Sequence, residues 1–274
     1  MNVKKSLLAS AILGAAMLAS GAASAGVIYP LGVGIPTGYV PGGFYISAET
    51  SYENVVTAPG QNFSGIFLVD SIKNASAQFT YQYGNNSAFL HGIFRNFIAD
   101  TINLPTSSTA GTITFKGGEI LYYVSNTNTF TNNQGQATDF ANASAGTLWL
   151  AADPAVLDAA GHTLIITIPV GGTLTQFSGA SAQTLLNVRA GAAGGAAGVY
   201  FDTNTFSNSY NGSMSDILFQ GSADTGASGD FPISGTNHIK TNIFFAPEPI
   251  SIAMFGTGLM GAAAFGARRK KKLA

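Results

Sequence analysis

The sequence predicts an all-β protein: a single β-sandwich-like exported domain flanked by an N-terminal signal peptide and a C-terminal transmembrane helix. Three observations carry that prediction. Apolar residues in the central region come in short runs separated by Gly, Asn and Ser. Those runs are rich in β-branched and aromatic residues, and no long stretch there repeats with the 3.6-residue period of a helix.

At the N-terminus, Lys4-Lys5 precede an apolar run over Leu7–Leu18, and Ala23-Ser24-Ala25 then offers small side chains. These are the ordered regions of a secretory signal, with cleavage expected between Ala25 and Gly26. Gly26–Gly43 is rich in Gly and Pro and reads as irregular. Phe63–Val69 reads as a buried strand. Phe79-Thr80-Tyr81-Gln82-Tyr83 alternates with period two, which places three aromatics on one face. Further strands are expected at 112–115, 119–124, 147–151, 163–168, 184–188, 198–201, 216–219 and 239–245. Turns are expected at Gly84-Asn85-Asn86, Lys116-Gly117-Gly118 and Asn211-Gly212. Ala88–Ile98 is ambiguous, because Phe89, Ile93, Phe94 and Phe97 have helical spacing. Asp153–Ala160 suits a short helix, with Asp153 as N-cap and Pro154 at its first position. Residues 190–198 and 222–235 read as loops within one domain. The absence of a fixed-period repeat argues against a solenoid or propeller.

The C-terminal end has its own order. Ala246-Pro247-Glu248-Pro249 leads into Ile250–Ala267, which is uncharged, and then into Arg268, Arg269, Lys270, Lys271 and Lys272. A helix over 250–267 would cover most of a ~30 Å hydrocarbon core, and the five cations would hold its end in the cytoplasm. Gly258, Ala262 and Gly266 place small residues on one face of that helix.

Removing both terminal segments changes the charge. Gly26–Pro249 keeps only five cations, Lys73, Arg95, Lys116, Arg189 and Lys240, against all 13 carboxylates, a net charge of −8. Scattered cations on an anionic domain do not fit a nucleic-acid partner. There is no cysteine, which excludes disulfides, thiol catalysis and Cys-ligated metals.

No recognised catalytic motif stands out, and neither a cofactor nor a metal is expected. His91, His162 and His238 are widely spaced and suit ordinary structural roles better than a metal site. Asp153 and Asp158 form the nearest carboxylate pair, although Asp153 reads better as a cap than as an acid. Asp139, Asp202 and Asp216 sit in apparent loops, where calcium ligands occur, but the expected reading is solvated turn aspartates. Asn62, Asn74, Asn85, Asn142 and Asn211 match the glycosylation pattern at a rate expected by chance in a chain this rich in Asn and Ser. Trp149 lies in an apolar run and reads as core.

The C-terminal arrangement resembles the PEP-CTERM sorting signal, in which Pro247, Glu248 and Pro249 would be read by an exosortase. The residue before the tripeptide is Ala246, where the family usually has Val. Phe63–Asp70, Ala137–Leu150 and Phe201–Phe206 are similar to segments of flocculation-associated PEP-CTERM proteins. The resemblance implies an exported protein of a Gram-negative bacterium that makes exopolysaccharide, acting in floc or biofilm formation, and the lack of a catalytic motif points to a role that is not enzymatic. Its partners would be signal peptidase and exosortase during export and exopolysaccharide afterwards, and the C-terminal helix would hold it in the membrane until processing. A carbohydrate-binding module is the alternative, and a secreted hydrolase a more distant one.

Overall fold

The computed structural model describes residues 27–36, 44–74, 77–227 and 229–241. The expected signal segment, the Pro247-Glu248-Pro249 motif, the spanning helix and the basic cluster lie outside the described residues. Strand accounts for 49% of the described residues and helix for 11%, so the chain is all-β.

In chain order the strands are β1 (Val27–Ile28), β2 (Ile35–Pro36), β3 (Phe44–Glu53), β4 (Asn62–Leu68), β5 (Ser71–Lys73), β6 (Phe79–Gln82), β7 (Phe89–Asn103) and β8 (Gly111–Ser125). Helix α1 (Gln136–Ala143) follows, then β9 (Thr147–Pro154), β10 (Leu164–Ile168), β11 (Ala180–Val188) and a one-turn helix α2 (Gly198–Phe201). The small hairpin β12 (Phe206–Ser207) and β13 (Met214–Ser215) leads into β14 (Ile217–Thr225) and β15 (Ile233–Thr241).

The expected sandwich is corrected to a closed barrel of ten strands. Strand β3 pairs β4 and β5 end to end, β4 pairs β7, and β7 pairs β8. Strand β8 pairs β9 and β10 end to end, and both pair β11. The ring continues through β14 to β15, which returns to β3. Every pairing is antiparallel, and closure leaves no free edge along the ring. The physical reason for the correction lies in the closing strands. The inner faces of β3 and β15 carry Ala48, Glu53, Gly235 and Asn237 beside Ile46, Ile233 and Ile239. That mixture has little of the apolar alternation by which strands are recognised.

The barrel is filled, not hollow. Toward one end Phe63 packs on Phe94 and Phe115 at 5.1 Å between ring centroids. Toward the other, Tyr122 touches Phe67 and Trp149, and Trp149 touches Phe201 at 4.9, 6.2 and 5.3 Å respectively. Trp149 is core, as its sequence context predicts, and its Nε1 donates to the Pro30 carbonyl at 3.2 Å. Burying each such ring contributes roughly 2–3 kcal/mol. A second, smaller core lies outside the barrel, where α1 and flanking loops cover Ile66, Ile93, Leu121 and Ala151 with Phe140 and Phe231. Elsewhere the outer face carries Arg95, Glu119, Gln183 and Gln220. Among the described residues no helix is long and apolar enough to cross a membrane.

Several local readings change. Within Ala88–Ile98, all but Ala88 belongs to the long strand β7, because Leu90, Phe94 and Phe97 face the core while Ile93 faces the outer cluster. Lys116-Gly117-Gly118 is not a turn between two strands but a kink within β8. The ladder skips one pair there, where Asn96, Gly117 and Gly118 have φ of 64°, 69° and 103°. Only glycine suits position 118, since a Cβ would lie 2.4 Å from the Phe97 ring. Asp153 and Pro154 end β9 and cap no helix. Residues 198–201 form α2 and not a strand, while 222–225 and 233–235 extend β14 and β15, leaving a shorter loop between them.

Candidate functional site: an outer groove

A groove of about 680 Å³ lies on the outer face of β10, β11 and β14. Strand alternation builds its floor. Inward residues of β11 (Ala180, Ala182, Thr184, Leu186) fill the barrel, so Ser181, Gln183 and Leu185 must face out. Register then lines them up in rows: Ile165 with Gln183 and Gln220, and Leu185 with Leu218. One wall is the hairpin from Phe206 to Ser209. Gln183, Gln220 and Ser181 are exposed, while Phe206, Ile165 and Leu218 are half-buried.

Buried polar anchors fix that wall. Asp216, just before β14, accepts backbone N–H bonds from Val188 at 2.7 Å and from Thr203 and Asn204 at 2.6 Å each. Asn208 donates from Nδ2 to the Val156 carbonyl at 2.6 Å and accepts from the Tyr210 N–H at 3.0 Å. The expected solvated turn acid at 216 is therefore a buried organiser of a loop. Asp139 is buried as well, at the start of α1, where it accepts from Thr131 Oγ1 at 2.5 Å. Asp202 alone of the three is exposed, with Asn204 Nδ2 at 3.4 Å.

The remaining chemistry-bearing residues fall into two surface networks. Arg189 binds Asp153 and Glu119, and Glu119 also takes Arg95 at 2.7 Å. Burial works against ionised Glu119, but the two guanidinium partners hold its carboxyl below the usual range. In the second network His162 lies between Asp158 (2.6 Å) and Asp100 (2.9 Å), and Lys116 pairs Asp100 at 2.9 Å. Burial disfavours the imidazolium, yet the two carboxylates outweigh it and raise the His162 pKa. Asp153 and Asp158 thus belong to different ion pairs. His91 is buried, with Nδ1 donating to the Ala143 carbonyl at 2.7 Å, and desolvation keeps its pKa low. Among the described residues no group of three His, Asp or Glu side chains is placed to hold a metal ion. The side chain of His238 lies outside the described residues.

Inside the barrel, β11 and β14 back onto a cavity of about 30 Å³, lined in part by Glu53, Asn237 and Phe97. It has room for only one or two waters. Glu53 is buried and receives a hydrogen bond from Ser51 at 3.4 Å, while the buried Nδ2 of Asn237 has no partner. Desolvation, partly offset by Ser51, raises the Glu53 pKa to about 7.

Of the residues that sequence reasoning singled out, only Asp216 supports the groove. Ser181, Gln183, Gln220 and Phe206 were not singled out, although the period-two pattern of residues 180–188 marks Ser181 and Gln183 as an outward pair. No family model, curated protein or solved structure matches this chain.

Proposed function

We propose that the protein is an exported, exosortase-sorted structural component of the cell surface or extracellular matrix, promoting floc or biofilm formation together with exopolysaccharide. It crosses the inner membrane of a Gram-negative bacterium, is held briefly by the 250–267 helix, and is freed by cleavage near Pro247-Glu248-Pro249. The observation that carries this reading is the groove: a fixed, hydrogen-bonding surface without ionisable side chains among the described residues, on a barrel whose chain carries Pro247-Glu248-Pro249 before an uncharged run and a basic cluster. The same groove favours a second reading, a carbohydrate-binding module that attaches to glycan without joining cells.

Deletion of the gene is expected to disperse flocs while exopolysaccharide output stays unchanged. A deletion strain that aggregates normally contradicts the matrix role, and one that disperses because it no longer makes exopolysaccharide does so too. Glu248→Ala is expected to leave a membrane-retained form that is larger by the anchor. Equal processing of wild type and variant in a host with the exosortase would reduce the motif to a linker.

A further inference from the structure

We propose that the groove over β10, β11 and β14 binds an uncharged glycan strand, with Gln183 and Gln220 hydrogen-bonding to sugar hydroxyls and Phe206 packing on a pyranose face. This inference rests on the matrix reading and names the ligand class of its site.

Charge is the first argument. Among the described residues no ionisable side chain lines the groove, although 13 carboxylates and only five Lys or Arg fall in Gly26–Pro249. A polyanion approaching this domain meets a repulsive field and finds no cation in the groove to reward it. A neutral polymer carries no such penalty.

The second argument is the chemistry and spacing of the floor. Gln183 and Gln220 are direct cross-strand neighbours, so their Cβ atoms sit ~5 Å apart and both amides can reach one pyranose ring. Each amide offers both donors and an acceptor, the complement of a pair of vicinal hydroxyls. Leu185, Leu218 and Ile165 place apolar surface beside them, matching the C–H faces of a sugar. Phe206 stands on the wall above that floor.

Third, the surface favours glycan over peptide. Strand β11 is paired on both sides, by β10 and β14, so its backbone groups are used and no strand can be added. Recognition there must run through side chains. The anchors Asp216 and Asn208 hold the wall before any ligand arrives, which lowers the ordering cost of weak contacts.

The test is calorimetric titration of the mature exported protein with a panel of neutral oligosaccharides (β-glucan, galactan and mannan fragments) and with alginate as the polyanion. The expected result is binding of at least one neutral glycan with an affinity insensitive to salt. Gln183→Ala/Gln220→Ala should weaken it at least about tenfold while the thermal unfolding profile stays that of the wild type. Because both amides are exposed, the double variant is expected to fold; Ser181→Ala/Gln183→Ala provides a second variant on the same floor. Three results overturn the inference: preference for alginate that salt or a chelator abolishes, no binding to any neutral glycan, or undiminished binding by both variants. If deletion still disperses flocs under any of those results, the matrix role stands and only the ligand assignment falls.

Discussion

Replacing Glu53 by glutamine is expected to stabilise the barrel at alkaline pH and to change nothing in acid. In the unfolded chain this carboxyl loses its proton near 4.5, whereas in the folded barrel burial raises the pKa to about 7. Between those values the folded state holds one proton more than the unfolded state, so raising the pH drains stability. The loss is complete above the folded pKa and absent below the unfolded one. A difference of about 2.5 pKa units corresponds to about 3 kcal/mol at ~1.36 kcal/mol per unit. Glutamine keeps the shape and can offer its amide to the cavity without a charge to desolvate. For a domain of this size that difference raises Tm by roughly 6–12 °C. Thermal and urea unfolding of wild type and Glu53→Gln at pH 4 and pH 8 reads it directly. Equal increments at both pH values, or a variant less stable at pH 8, would refute the assignment of a desolvated carboxyl inside the barrel.

For His162→Gln the gap should lie at the acid end of the pH range instead. The folded His162 pKa is raised, so its pairing with Asp158 and Asp100 stabilises below the unfolded value near 6.5 and is lost as pH rises through the folded pKa. The stability gap between wild type and variant should therefore narrow from pH 6 to pH 9, and a gap independent of pH would contradict the pairing. Gly92→Ala should cost about 1–3 kcal/mol, since its Cβ would lie 2.4 Å from both the Leu121 carbonyl and the Phe67 ring; an unchanged Tm would count against that packing. Asp216→Ala orphans three backbone N–H groups, each costing ~1–3 kcal/mol. Limited proteolysis should then cut within residues 202–215, and a loop as resistant as the wild type's would deny Asp216 its organising role.

Strand content was legible where side-chain alternation was strong. Phe79–Gln82, Leu164–Ile168 and the apolar run around Trp149 announce strands because Tyr81, Leu164, Ile168 and Trp149 are large side chains buried in the core. Asp216 and Asp139 misled because a carboxylate before an apolar run looks the same whether it faces water or gathers backbone amides. Residues 88–98 fit two periods at once, because β7 buries both faces, one in the barrel and one under α1. Closure was the least visible feature. It depends on register between β3 and β15, strands separated by most of the chain, whose inner faces include small and polar residues. The groove was hidden for the same reason: Gln183 and Gln220 are neighbours only once β11 and β14 are paired.

The central claim is that this barrel holds a polysaccharide matrix together through one uncharged groove. The most direct measurement is floc sedimentation of a deletion strain complemented with wild type or with Gln183→Ala/Gln220→Ala, with the exported level of each protein checked by immunoblot. The account predicts equal export, flocs restored by wild type, and cells left dispersed by the double variant. Full restoration of flocs by the double variant at equal export would contradict it.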